Sequence, residues 1–190
     1  EPGAETWLGD SRQYTGNAGI WGPFSADPQL GYVYLSVESA TNDVYGGHRP
    51  GNNLYSDSMV CLDIRTGKMI WFQQLVHHDI WDYDLGAAPA LVDVIKDGKS
   101  IPAVAQITKM GLLFVLDRTT GEPVWGMEER PVPQSTAPGE KTAPTQPFPV
   151  KPPPLARNSM TKADLATITP EHEAYCKGLW DKYNLQDSVP

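Results

Sequence analysis

Short runs of apolar and β-branched residues, each bounded by Gly, Pro or Asp, alternate with polar turns along the first two thirds of the chain. Such runs are typical of β-strands. The clearest of them cover residues 32–37, 90–94 and 101–107. No long amphipathic helical pattern occurs before residue 160. The pattern therefore predicts an all-β fold.

One pattern occurs twice. A β-rich run ends in Leu-Asp, continues as x-x-Thr-Gly, and reaches a Trp four residues beyond the glycine; the two glycines, Gly67 and Gly121, stand 54 residues apart. Asp can accept turn hydrogen bonds, Gly provides a positive φ, and the Trp packs the returning strand on its neighbour. Short strands with a period of roughly 40–50 residues are typical of propeller blades. Two similar turns in an ordinary hairpin sandwich are the alternative.

The composition changes between residues 131 and 157, which hold nine of the eighteen prolines. Because proline cannot donate a ladder hydrogen bond, we expect an extended surface connection. A proline-rich ligand for another domain is the alternative. Two helix starts follow, one at Thr161 and one at Thr169, the second running to about residue 183. We therefore predict blades over 1–130, a proline-rich connection over 131–160, and short helices over 161–190 as parts of one propeller domain.

Charge and cysteine usage exclude some classes of function. The net charge of −8 argues against nucleic acid or an anionic membrane surface as the main partner. The two cysteines, Cys61 and Cys176, have no C-x-x-C spacing and so form no metal or redox motif. Cys61 lies in a strand pattern, where a buried free thiol is expected.

The densest chemistry lies in residues 76–84, V-H-H-D-I-W-D-Y-D. If this run is extended, alternation places Asp82 and Asp84 on one side together with His78 and Ile80. A carboxylate pair beside a cation or base could act as proton acceptor and metal ligand. Composition alone slightly favours a solvated loop in which the Asp side chains cap turns. Zinc is not expected, because no further nitrogen or sulfur ligand stands at a suitable spacing.

At this point the sequence resembles a known family. Residues 76–84 are similar to the active-site strand of pyrroloquinoline-quinone (PQQ) dehydrogenases, particularly the branch of the membrane glucose dehydrogenases. The resemblance covers nearly the whole chain and extends to the sequences Y-G-G-H-R-P-G (45–51), T-T-G-E-P (119–123), P-V-P-Q (131–134) and P-T-Q-P-F (144–148). It implies a partial arc of an eight-bladed quinoprotein propeller, with PQQ and a metal ion on the central axis.

The resemblance also implies roles for three residues. Asp82 matches the catalytic aspartate, which takes the proton from the substrate hydroxyl. Lys109 matches the cation that binds the quinone oxygens and stabilises the charge of reduction, as a catalytic and cofactor-binding residue. Trp21 matches the indole under the PQQ ring plane, where stacking suits a flat side chain; without the resemblance, a core Trp of a blade is the alternative.

The metal site departs from the family pattern. Many members carry Gly-Asn-x-x-Pro-Asp after the strand, and here Ser39 stands where that Asn ligates the metal. A hydroxyl is a poorer ligand for a hard cation, although the adjacent Glu38 is a stronger one. Asp84 resembles a carboxylate of lanthanide-using members. We therefore expect Glu38, Ser39 and Asp84 near a calcium or lanthanide ion, with the choice of metal open.

The implied activity is the PQQ-dependent oxidation of a small sugar or alcohol in the periplasm, with ubiquinone or cytochrome c as electron acceptor and any membrane association through parts outside this chain. A non-catalytic propeller scaffold, similar to the outer-membrane assembly propellers, is the alternative. The chain holds too few blades for a ring. We expect it to combine with further blades, in a longer chain or another subunit, and not to turn over substrate alone.

Overall fold

The computed structural model describes residues 2–188, so Glu1, Val189 and Pro190 of the predicted first and last segments lie outside the described residues. The chain divides into two compact units, with the boundary between Leu155 and Ala156. The first contains antiparallel sheets, and the second contains a short 3-10 turn and a helix. The strands of the first unit are β1 (Ser25–Asp27), β2 (Tyr32–Ser36), β3 (Ser58–Asp63), β4 (Met69–Gln74), β5 (Ala90–Lys96), β6 (Lys99–Ile107), β7 (Leu113–Asp117), β8 (Met127–Pro131) and β9 (Thr145–Pro149).

Strands β1 to β4 form one four-stranded meander, and β5 to β7 form a three-stranded one. The first repeat is the hairpin between β3 and β4, where the Asp63 carboxylate accepts hydrogen bonds from the Arg65 and Thr66 N–H groups at 3.0 and 2.8 Å. In the second repeat, Asp117 caps the turn in the same way. The predicted hairpins and strands are confirmed there.

The returning strand of the second repeat is shorter than predicted. Only one isolated bridge, between Leu116 and Pro123, follows the turn. The chain turns away directly after this bridge, where the Gly126 N–H donates to the Pro123 carbonyl at 3.2 Å. Val124 still donates to the Val115 carbonyl at 2.9 Å, and its side chain is buried against the outer face of the second sheet.

The core lies between the sheets. Tyr34, Met59, Cys61 and Trp71 from the first sheet pack against Val104 and Leu116 from the second. A second cluster joins the end of β4, the start of β7 and the segment between them to β9; it contains Leu75, Val76, Leu85, Met110, Leu112, Phe114 and Phe148. Burial of apolar surface between consecutive sheets is the packing that propeller blades use.

The proline-rich segment contains regular structure that the sequence did not predict. Strands β8 and β9 pair in register, with Glu129 opposite Pro147 and Met127 opposite Pro149. The expectation of an extended connection was wrong for residues 145–149. In the second unit, Thr161 caps the 3-10 turn Lys162–Asp164.

A longer helix, α1, covers Pro170–Lys182 in the second unit. Thr169 is its N-cap, and the side chain of Thr169 accepts a hydrogen bond from the His172 N–H. Both predicted helix starts are therefore confirmed. None of the helices among residues 2–188 is long and apolar enough to cross a membrane.

Candidate active site

Three of the predicted site residues meet in one charged contact. The Lys109 Nζ lies 3.1 Å from Asp82 Oδ1 and 3.1 Å from Asp84 Oδ2, and it donates to the Asp82 carbonyl at 2.7 Å. Asp82 and Lys109 are each partly exposed, with side-chain exposures of 48% and 39%. The ammonium group therefore holds two carboxylates at the surface of the first unit.

The hydrogen bonds and charges of this contact shift the pKa values of two of these groups. Burial lowers the pKa of Lys109, but its hydrogen bonds with Asp84 and Asp82 outweigh this effect and the pKa is raised. Burial raises the pKa of Asp84, but hydrogen bonds from the Ser39 N–H and Lys109 outweigh it and that pKa is lowered. Lys109 stays cationic and Asp84 anionic over the neutral range.

The segment that carries Asp82 is a loop and not the expected extended strand. Both His78 and Asp82 have left-handed backbones, with φ of 46° and 59°. Alternation therefore does not apply, and His78 is buried while Asp82 is exposed to solvent. A non-glycine residue in this region is uncommon, because the Cβ approaches its own carbonyl oxygen. Such backbones persist where the surroundings hold them, and they are common at functional sites.

Three backbone hydrogen bonds hold Asp82 in this conformation. The buried Asp79 carboxylate accepts from the Trp81 N–H at 2.9 Å and from the Tyr83 N–H at 2.7 Å, one on each side of Asp82. The Asp82 N–H itself donates to the Asp43 carbonyl at 3.1 Å. Asp79 thus fixes the peptide units that flank the candidate base.

Ser39 lies under this loop. Its N–H donates to Asp84 Oδ1 at 2.7 Å, and its hydroxyl lies 3.0 Å from Asp57 Oδ1 and in short contact with Asp79 Oδ2. Burial and the neighbouring Asp79 raise the pKa of Asp57 well above the usual range, and burial also raises the pKa of Asp79. The Ser39 hydroxyl is therefore engaged by buried acids.

Charge compensation comes from Arg49, which is fully buried. It donates to Asn53 Oδ1 at 2.8 Å, to the Asn42 carbonyl at 2.8 Å and to the Asp79 carbonyl. The sequence reasoning assigned no role to Asp57, Asp79 or Arg49. Asp79 lies inside the densest cluster and Arg49 inside the sequence Y-G-G-H-R-P-G, so both had a usable signal, whereas nothing in the spacing marked Asp57.

A cavity of about 280 Å³ opens beside the charged contact. Its lining comes from Trp21, Asp84, Gly86, Ala87, Ile107, Thr108 and Lys109. Trp21 is 60% exposed. A Cβ on Gly86 would lie 2.8 Å from the indole atoms Cη2 and Cζ2, so glycine is what allows the ring to approach the backbone. The structure thus brings Trp21, Lys109 and Asp84 to one cavity.

The remaining predicted ligand, Glu38, accepts a hydrogen bond from the Gly19 N–H at 3.1 Å, on the segment that leads to Trp21. Among residues 2–188, no group of three or more His, Cys, Asp and Glu side chains is arranged to hold a metal ion.

Comparison with known proteins agrees with the family resemblance of the sequence. The family model described as "PQQ: Glucose/ethanol/alcohol dehydrogenase, beta-propeller domain" matches residues 1–189. The chain is 43% identical to the quinoprotein glucose dehydrogenase of Escherichia coli, over 73% of the chain and 18% of that protein. It is 39% identical to the quinate/shikimate dehydrogenase (quinone) of Acinetobacter baylyi, over 83% of the chain and 20% of that protein. The chain thus spans about a fifth of the length of these relatives.

Two solved structures are also similar. The quinohemoprotein alcohol dehydrogenase of Comamonas testosteroni has a TM-score of 0.62 at 28% identity, covering 78% of this chain and 22% of that one. A europium-containing methanol dehydrogenase has a TM-score of 0.58 at 30% identity, covering 67% and 23%. The predicted fold class, sheets of a partial propeller, is confirmed, and so is the predicted family resemblance.

Proposed function

The chain belongs to the β-propeller family of PQQ-dependent glucose, ethanol and alcohol dehydrogenases, and on this basis we propose that it carries the catalytic loop for oxidation of a sugar or alcohol hydroxyl. The observation that carries the proposal is the contact of Lys109 with Asp82 at the edge of the cavity that Trp21 lines. It supports an active site because a carboxylate on a fixed, left-handed backbone and a cation lie beside an exposed aromatic ring.

The residues of the cavity suit PQQ, a flat tricyclic quinone that carries carboxylates. The exposed Trp21 indole offers a stacking surface, and the absence of a side chain at Gly86 keeps that surface flat against the backbone. Lys109 offers a cation to the quinone oxygens. When bound, PQQ supplies the acceptor for the hydrogen and the electron pair that leave the hydroxyl-bearing carbon.

The protein's own residues then have separate tasks. Asp82 accepts the proton of the substrate hydroxyl, for which its half-exposed carboxylate is accessible. Lys109 keeps Asp82 and Asp84 in place and provides positive charge where negative charge develops. Asp79 holds the Trp81 and Tyr83 N–H groups, so the base keeps its direction.

A calcium or lanthanide ion is a further part of the proposal. Glu38 and Asp84 are anionic oxygen donors, the type that such ions prefer, and the similarity to a europium-containing enzyme supports a metal. Ligation by Ser39 would require its hydroxyl to leave Asp57 or Asp79. The described residues alone do not complete a metal site, so no catalytic step is assigned to a metal.

The setting of the reaction is also part of the proposal. We place the protein in the periplasm, with ubiquinone or cytochrome c as the electron acceptor and with the further blades in a longer chain or another subunit. Since the chain spans about a fifth of its relatives, this stretch alone should not reduce dye with substrate.

The test is a titration of the full-length protein with PQQ, followed by absorbance and tryptophan quenching, with calcium, with a lanthanide and without metal. The Asp82→Asn variant keeps the backbone, because Asn tolerates a positive φ. It should bind PQQ and lose dye reduction by roughly 10²–10⁴-fold. Asp97→Asn is the matched control, since Asp97 is also left-handed, at φ 51°, but lies in the turn between β5 and β6. Failure to bind PQQ under every metal condition would favour the scaffold.

A further inference from the structure

The proline-rich hairpin, defined as residues 127–149, contacts the loop of the candidate base at His77. Gln146 on β9 accepts a hydrogen bond from the His77 N–H at 2.7 Å and donates to the His77 carbonyl at 2.7 Å. One amide therefore satisfies both backbone groups of the same residue, as a neighbouring strand would. His77 lies between the end of β4 at Gln74 and the candidate base Asp82.

The hairpin also holds the His77 side chain. Its imidazole lies between Gln74 Oε1 at 2.7 Å and Glu129 Oε1 at 3.1 Å. Glu129 is on β8, and its second oxygen accepts from the Thr145 hydroxyl at 2.7 Å. The backbone and the ring of His77 are thus both fixed to the hairpin.

A separate contact reaches the second loop that supports the candidate base. The Glu140 carboxylate accepts from the Gly46 N–H at 2.7 Å, and the Tyr45 hydroxyl donates to the Pro138 carbonyl at 2.9 Å. These residues belong to the loop whose Asp43 carbonyl accepts from the Asp82 N–H. The hairpin therefore contacts both loops that fix the backbone of Asp82.

The hairpin itself is anchored in the core. Phe148 is buried in the same cluster as Leu75 and Val76, and Val132 and Tyr83 pack against that cluster. Proline limits the backbone freedom of the segment before folding, so less conformational entropy is lost when it is fixed. These features suit an element that holds a loop rather than one that opens over it.

We propose that the proline-rich hairpin is a brace for the catalytic loop and that Gln146 is its positioning residue. The inference rests on the proposed function, because it assigns Gln146 the task of placing Asp82 against the substrate. Gln146 is not among the residues that line the cavity of Trp21 and Lys109, so the brace acts on catalysis and not on cofactor affinity.

Two variants of the full-length protein test it. Gln146→Leu removes both hydrogen bonds, and Gln146→Glu keeps the acceptor for the His77 N–H but places an anionic oxygen against the His77 carbonyl. Gln134→Leu is the matched control, since Gln134 lies on the same hairpin and donates only to the hairpin carbonyls of Val132 and Ala143, each at 3.3 Å.

The expected result is a fall in kcat of roughly tenfold or more for Gln146→Leu, with the affinity for PQQ within about twofold of the unsubstituted protein. Gln134→Leu should change neither quantity. Gln146→Glu should regain kcat, relative to the unsubstituted protein, as the pH falls, because a protonated carboxyl group again donates to the His77 carbonyl. A purely structural glutamine would not show this recovery.

An equal loss of kcat in Gln134→Leu, or an unchanged kcat in Gln146→Leu, would overturn the brace. Amide hydrogen exchange at Trp81 and Tyr83 is a readout without catalysis: it should accelerate in Gln146→Leu and not in the control. If the unsubstituted protein fails to bind PQQ, the proposed function fails. The brace is tested independently of PQQ binding: exchange rates at Trp81 and Tyr83 that are the same in Gln146→Leu and Gln134→Leu would reject it.

Discussion

The repeated turn offers a matched pair of substitutions. Gly67 and Gly121 are left-handed, with φ of 67° and 79°. A Cβ on Gly67 would meet nothing within 4 Å, whereas a Cβ on Gly121 would lie 2.6 Å from Trp71 Cδ2. The Trp71 indole also donates to the Arg118 carbonyl at 3.3 Å. The tryptophan of the first repeat thus packs against the turn of the second.

The structure gives the size of each effect. Alanine in a left-handed backbone costs about 1–2 kcal/mol, and at Gly67 this is the whole expected loss in the free energy of unfolding. At Gly121 the new methyl group also overlaps a buried ring, and overpacking of this kind costs a further ~1–3 kcal/mol. Gly121→Ala should therefore lower the free energy of unfolding by about 2–5 kcal/mol.

The assay is urea denaturation followed by tryptophan fluorescence and circular dichroism, in the unsubstituted protein and the two alanine variants. A double variant with Trp71→Leu adds a further check. Without the indole, the cost of Gly121→Ala should fall to that of Gly67→Ala. Equal destabilisation by the two single variants would refute the packing of Trp71 on the second turn as the source of the extra cost at Gly121.

Two further predictions concern the cavity and the core. Gly86→Ala should weaken PQQ binding about three- to tenfold, because its methyl group displaces the Trp21 indole; an unchanged dissociation constant in the quenching titration would contradict the stacking role. Burial raises the pKa of Cys61 from 9.0 to about 12, so its contribution to stability is complete below pH 9.0 and is lost as the pH rises to about 12. The free energy of unfolding should decrease by at most ~1.4 kcal/mol per pH unit in this window on account of Cys61. Comparison of urea denaturation across this range should show a smaller decrease in Cys61→Ala, and identical slopes would show that the thiol is not the source.

Features that depend on neighbouring residues could be predicted from the sequence. The Leu-Asp-x-x-Thr-Gly turns form because Asp63 and Asp117 accept hydrogen bonds from residues two and three positions later. The helix caps at Thr161 and Thr169 are local in the same sense. These interactions require no knowledge of the rest of the fold.

The strands that contain or follow proline could not be predicted in the same way. The sequence predicted a returning strand beyond Gly121, but a turn from Pro123 to Gly126 limits it to one bridge. It predicted no strand at Pro147 and Pro149, but β9 forms there. Since these two prolines are two positions apart, both missing donors point to one side of β9, and the other side remains available to β8.

The candidate site was predicted in part. Asp82, Lys109 and Asp84 were expected together from the resemblance, and they share one ion-pair contact. The conformation of their loop was not expected, because alternation assumes an extended chain and Asp82 is left-handed. What holds it there is the carboxylate of Asp79, whose bonds to the flanking N–H groups depend on the turn and not on a spacing that the sequence displays.

The contacts of Ser39 could not be predicted from the sequence. In the sequence it appears only as a weak substitute for a metal ligand, yet its hydroxyl lies between two carboxyl groups from positions 18 and 40 residues further along the chain. A hydroxyl has one proton and can donate to only one of them, so the other acid must be protonated to form a hydrogen bond. Burial raises the pKa of both acids, and the neighbouring Asp79 raises that of Asp57 further. The hydrogen bonds from the Trp81 and Tyr83 N–H groups act in the opposite direction on Asp79 and favour its anionic form. The two N–H groups beside Asp82 therefore help to keep Asp79 the acceptor that holds the loop.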